Sequence, residues 1–195
     1  MKVGSLVFVC IVFTMCALMA APVLGLTAGQ TAVTGNISAY AAISLNASSV
    51  LLGDSYGTMA PNADNKNQSL GVIVTANNGF SVTVKDFNNG QTGHTNAGFM
   101  YPYVVGTGYD TTNYPVNLTD ALQVSPGATL PSMVTGSTPT PPITDGSTLF
   151  QSGHYNAFNA VVIPTTINQH VEYYDPVLPA TDTYRIDLEF DISTP

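Results

Sequence analysis

The sequence predicts an all-β fold, and three observations carry that reading. Apolar side chains recur at every second residue through several segments, the period of a strand with one buried face. Those segments lack the three- and four-residue apolar spacing of a helix. Clusters of Asn, Gly, Pro and Asp separate them, as turns between strands require. Together these features fit an immunoglobulin-like β-sandwich of about eight antiparallel strands, in which two sheets pack face to face. The Cys and Trp hallmarks of antibody domains are missing, so the expectation rests on pattern alone.

Residues 70–86 carry the clearest pattern. Leu70, Val72, Val74 and Ala76 share one parity, Phe80, Val82 and Val84 share the other run's parity, and Asn77-Asn78-Gly79 lies between. Asn and Gly tolerate the positive φ of a short loop, so the stretch reads as an antiparallel hairpin. Upstream, Ile37, Ala39, Ala41, Ile43 and Leu45 alternate with mostly small or polar residues and predict a first strand over 37–45. Val50-Leu51-Leu52 is a second short apolar run, followed by a polar connection over 55–69.

Two long loops are expected, at 87–120 and 125–148. The first holds the aromatic residues Phe99, Tyr101, Tyr103, Tyr109 and Tyr114, read as lining the loop against the core or as a sugar-stacking surface. The second is rich in proline, which removes backbone donors and favours extended, unpaired chain; it reads as an intradomain loop or as a linker. Between them, residues 121–124 predict a short strand. Phe150 and residues 158–163 resume the apolar pattern until Pro164, which is expected to interrupt it as at a sheet edge or bulge. Ile167, Gln169, Val171 and Tyr173 then alternate with polar neighbours. Residues 183–193 form the most regular run, with Tyr184, Ile186, Leu188, Phe190 and Ile192 on one face and Arg185, Asp187, Glu189 and Asp191 on the other. These last two runs are expected to form a second hairpin-like pair.

The first 25 residues read as a signal peptide. Lys2 supplies a minimal charged start, residues 6–19 an apolar core too short for a comfortable membrane span, and Val23-Leu24-Gly25 a small-residue cleavage pattern. An uncleaved anchor and a prepilin-type cut after Gly4 are the alternatives. Cleavage after Gly25 leaves residues 26–195 as one secreted domain, with membrane contact only through the segment removed. Both cysteines, Cys10 and Cys16, lie in that segment, so the exported part holds together without disulfides.

The formal net charge is −8, and beyond Lys2 only Lys66, Lys85 and Arg185 face twelve acids. Nucleic acid is thereby excluded as a partner. Charged residues are 8% of the chain, against about a quarter in ordinary domains, so the surface relies on neutral polar groups. His94, His154 and His170 stand apart, with no HExxH, CxxC or nucleophile-elbow motif beside them, and the chain reads as non-enzymatic. Carboxylates crowd the C-terminal quarter. Asp175 and Asp182, near the ends of one connection, are the calcium candidates, because calcium takes six to eight oxygen ligands; no other cofactor is implied. The alternating Asp187, Glu189 and Asp191 read equally as a solvated face or a charged sheet edge. Sequons at Asn36, Asn46, Asn67 and Asn117 are candidate glycosylation sites.

Ile43-Ser44-Leu45-Asn46, Val50 with Gly53, the run from Val72 to Val84 and Tyr184-Arg185-Ile186-Asp187-Leu188 together resemble the small secreted β-sandwich surface proteins of archaea and bacteria, similar to WxL-type and TasA-like envelope, sheath, pilus or filament subunits. With no Trp in the chain, the WxL motif itself is absent. The resemblance implies a non-enzymatic structural subunit of an extracellular assembly, such as a surface layer, sheath or filament, and a homo-oligomer or polymer at the cell surface. Such subunits lend a terminal strand to the next copy. Leu26, Thr27, Thr31 and Val33, in an uncharged stretch just after the expected cut, are the candidate assembly residues; a first strand or frayed tail of the same domain is the other reading. A secreted carbohydrate-binding or calcium-dependent adhesion module is the alternative function.

Overall fold

A computed structural model describes residues 35–110, 116–144, 146–154 and 156–195. The signal segment and Leu26, Thr27, Thr31 and Val33 lie outside the described residues, as does Tyr114. From Ala39 to Pro195 the described chain forms one contact unit. Its strands are β1 Ala41–Leu45, β2 Ala63–Ala76, β3 Phe80–Asp86, β4 Tyr101–Val104, β5 Gly108–Tyr109, β6 Gln123–Pro126, β7 Val134–Gly136, β8 Ser147–Ser152, β9 Phe158–Val171, β10 Asp182–Arg185 and β11 Leu188–Ser193. All pairings are antiparallel, and no helix occurs among the described residues. Two four-stranded sheets run β1-β2-β9-β6 and β11-β3-β8-β7, and a small third sheet runs β10-β4-β5.

The expected hairpin over 70–86 is instead a crossing between sheets. β2 pairs with β1 and β9, whereas β3 pairs with β11 and β8, so Asn77-Asn78-Gly79 carries the chain from one four-stranded sheet to the other. Period-two alternation fixes which side of each strand is buried but not whether two such strands lie side by side or face one another. Here Leu70, Val72, Val74 and Ala76 join Phe80, Val82 and Val84 in one buried cluster, with Phe150 and Ile163 from the next crossing. β8 and β9 cross in the same way, as do β6 and β7. These three crossings stack laterally, because β9 lies between β2 and β6 while β8 lies between β3 and β7. Where the first two meet, Phe80 and Phe158 pack edge to face with ring centroids 5.0 Å apart.

Pro164 does not end its strand. β9 runs through it, opposite Gly71, next to a register shift between Asn67 and Leu70 on β2. The bulge takes up the ladder irregularity that a residue without an N–H imposes. The Asn46 side chain completes the hydrogen bonding there, donating from Nδ2 to the Ser69 carbonyl at 2.9 Å and accepting from the Gly71 N–H at 2.7 Å.

The run over 183–193 also divides. β10 pairs with β4 in the small sheet and β11 pairs with β3, so the two C-terminal runs form no hairpin with each other. At the break, Asp187 receives Arg185 Nε at 2.8 Å, donates its N–H to Asn88 Oδ1 at 2.9 Å and accepts the Phe87 N–H at 2.9 Å. The predicted parity survives: Tyr184, Ile186, Leu188, Phe190 and Ile192 all pack, partly buried, against the core. The first strand starts at Ala41, leaving Ile37 exposed, and the two expected loops contain β4, β5 and β7. The short strand expected at 121–124 is displaced to β6, Gln123–Pro126.

Gly79 marks the tightest point of the first crossing, since a Cβ there would collide with the carbonyl oxygens of Ser152 and Gly153 at the neighbouring β8–β9 crossing. Gly79→Ala is therefore expected to cost roughly 1–3 kcal/mol by overpacking. Gly35→Ala, at a position with open space, serves as the neutral control; denaturant unfolding of both variants checks the difference.

Candidate functional site

Beside the shared core, β1, β2 and the segment entering β11 leave an apolar groove of about 1230 Å³, with Leu45, Leu51 and Leu70 on one side and Ile186, Leu188 and Phe190 on the other. Asp175 and Asp182, the calcium candidates, both line it. Asp175 is committed to the protein itself: Oδ1 accepts Thr119 N at 2.9 Å and Thr119 Oγ1 at 2.7 Å, while Oδ2 accepts Glu172 N at 2.7 Å. It staples the end of β9 to the chain entering β6. Asp182 opens β10, with its N–H on the Pro179 carbonyl at 3.0 Å and Oδ1 accepting Thr181 Oγ1 at 2.9 Å.

Tyr184 faces the groove and donates to the Pro176 carbonyl at 2.8 Å. Burial, reinforced by the Asp175 charge, pushes its phenol up to about 12. A raised native pKa means that the folded chain holds the phenolic proton more tightly than the unfolded chain, so this contribution is complete below about pH 10 and fades between about 10 and 12. Tyr184→Phe is expected to lower stability near neutrality by about 1 kcal/mol through the lost hydrogen bond. The variant should also show a shallower loss of stability over that alkaline interval, measured by denaturant unfolding across a pH series.

The aromatic residues of the first long loop enclose a second feature. His94 is wholly buried, its Nε2 2.7 Å from Asp86 Oδ2, and its ring packs against Tyr101 and Tyr109 with centroids 4.6 and 5.0 Å away. Asp86 also accepts the N–H groups of Gly98 at 2.8 Å and Asn88 at 2.9 Å. This node pins the long loop to the end of β3, so Tyr101 serves the interior. Beyond it lies a polar pocket of about 440 Å³ lined by Asn88, Gln91, Tyr103, Tyr109 and Arg185. Arg185 stacks 4.4 Å over Tyr103, and Asp187 raises its pKa further, chiefly by hydrogen bonding. Asp86→Ala removes the partner of a buried imidazole and is expected to cost roughly 3–5 kcal/mol, read from the denaturation midpoint.

Three sequon amides are engaged with the fold. Asn46 caps the β2 bulge; Asn67 donates to the Leu51 carbonyl at 2.8 Å and accepts from Ser69; Asn117 donates to the Leu118 carbonyl and accepts from Asn96. Asn36 is exposed ahead of β1.

A third grouping was not singled out from the sequence. On β9, His170 sits directly opposite Asp64 of β2, with Nδ1 2.9 Å from Asp64 Oδ1. Each holds the other's charged form: the hydrogen bond raises the imidazole pKa and lowers that of the carboxyl. Glu172 and Asp120 approach the same imidazole. The available signal was His170-x-Glu172 at the end of an alternating run, two side chains on one face; Asp120 and Asp64 come from distant segments.

Comparison with protein families, with curated proteins and with solved structures gives no match for the chain.

Proposed function

We propose that this protein is a non-enzymatic structural subunit of an extracellular assembly, a surface layer, sheath or filament, in which copies are joined by strand exchange. The observation that carries the reading is the apolar groove beside β1, whose outer edge has no partner strand among the described residues. The occupant is the 26–35 segment of a neighbouring copy. Ten extended residues reach about 33 Å, ample for the length of a sheet edge. Main-chain hydrogen bonds would supply affinity and alternate apolar side chains would set register. The scarcity of charge on the surface suits close lateral packing of identical subunits. In this reading the two main sheets form an immunoglobulin-like sandwich in their layering, the chain is exported by a cleaved signal peptide, and the glycosylated surface belongs to the class of envelope subunits that the sequence resembles.

The polar pocket beside Tyr103 and Arg185 favours a second reading, a secreted carbohydrate-binding module, because aromatic rings lined up with guanidinium and amide groups suit sugar rings and their hydroxyls. Electron microscopy of the purified protein separates the two. Ordered polymers that disappear when residues 26–35 are deleted are the expected result. Polymerisation unchanged by the deletion overturns strand exchange, and a soluble monomer retained on a polysaccharide column favours the second reading.

A further inference from the structure

We propose that Asp120, His170 and Glu172 form a binding site for a divalent transition-metal ion, with Asp64 orienting the imidazole. The site is separate from the groove occupant and does not depend on assembly. One ligand atom from each of the three residues lies within 4.8 Å of the other two, and all three side chains are partly buried. His170 Nε2 stands 3.9 Å from Glu172 Oε1, too far for a hydrogen bond. An ion bound at about 2.1 Å to each ligand in tetrahedral geometry holds its ligands roughly 3.4 Å apart. A small inward movement closes that gap.

The orientation of the imidazole suits the task. In the neutral ring, Nδ1–H donates to Asp64 Oδ1 at 2.9 Å, which leaves the Nε2 lone pair free, 3.9 Å from Glu172 Oε1. A carboxylate on the far nitrogen fixes the tautomer and ring angle and makes the ligand nitrogen more basic, the usual arrangement behind a metal-bound histidine. The backbones that carry the ligands are held as well. Gln169, wholly buried, donates from Nε2 to the carbonyls of both Asp120 and His170, at 2.9 and 2.6 Å. Asp175 ties Thr119 to Glu172, the neighbour of one carboxylate ligand to the other ligand itself.

Charge favours a cation here: Asp64, Asp120 and Glu172 surround the imidazole, and Lys66, 3.4 Å from Asp64, is the basic group on that face of β2. A nitrogen ligand with two carboxylates selects zinc or a similar first-row ion over calcium, which takes oxygen only. Water would fill the remaining coordination positions.

The test is calorimetric titration of the untagged full chain with zinc chloride, with thermal melting alongside. Saturable binding of one zinc per chain, and a rise in Tm reversed by a chelator, is expected. His170→Ala and Glu172→Gln should each weaken binding at least tenfold while leaving the zinc-free Tm near that of the parent. Asp64→Asn should weaken it roughly 10- to 100-fold by loosening the ring. His154→Ala should leave binding unchanged. Absence of saturable binding at millimolar zinc overturns the proposal, as does binding that survives in Glu172→Gln, which decides the matter even if His170→Ala fails to fold. Displacement of zinc by equimolar calcium also overturns it.

Discussion

The burial of β2 and β3 on opposite sides of one core is the constraint on which the described chain depends. Neither strand is hydrogen-bonded to the other, so what holds them is the removal of Leu70, Val72 and Val74, together with Phe80, Val82 and Val84, from water into a single cluster. The crossing at Asn77-Asn78-Gly79 puts consecutive strands into facing sheets. Each remaining four-stranded sheet then needs partners from elsewhere in the chain, which the β8–β9 crossing supplies to both at once. With no cysteine beyond residue 16, this packing carries the load that disulfides bear in many small exported domains.

Parity was legible in the sequence and pairing was not. Alternation correctly separated inward from outward residues in 70–86 and in 184–192, where Tyr184, Ile186, Leu188, Phe190 and Ile192 all turn toward the core. The same alternation is compatible with a hairpin or with an inter-sheet crossing, because both bury the same side chains. What distinguishes them is the space at Gly79, set by carbonyls of residues 152 and 153 that only the folded chain brings near. Pro164 shows a related point: the sequence predicts an interruption there, at a sheet edge or bulge, but the missing donor matters only in relation to the opposite strand, so β9 runs on through it and the adjacent bulge lies in β2. The break at residues 186 and 187 follows from Asn88 and Phe87, which capture the backbone of Asp187 from almost a hundred residues away.

At the sites, residue type was informative and assembly was not. Asp175 was singled out for its carboxylate, and the carboxylate does serve as a hub, with backbone and hydroxyl donors on both oxygens. That role fastens the segments bearing Asp120 and Glu172. His94 looked isolated in sequence although Asp86 lies only eight residues before it; burial of the imidazole against Tyr101 and Tyr109 makes the pair, and nothing local announces it. His170 required a partner on a strand more than a hundred residues upstream, a relation fixed by β2–β9 register.

Sparse charge gives each ionic group unusual weight in this protein. Lys66 is matched by Asp64, Lys85 by Glu189 and Asp191, and Arg185 by Asp187. The acids of β11, an outermost strand of its sheet as a charged edge requires, are thus neutralised in part by Lys85 on the paired strand, which raises the Lys85 pKa. The surplus of acids falls elsewhere. Around His170, Asp64, Asp120 and Glu172 converge with one lysine on the same face, so the imidazole there stands in an excess of negative charge. A protonated histidine relieves that excess by one unit, whereas a divalent ion on the neutral ring relieves it by two and also satisfies the Nε2 lone pair.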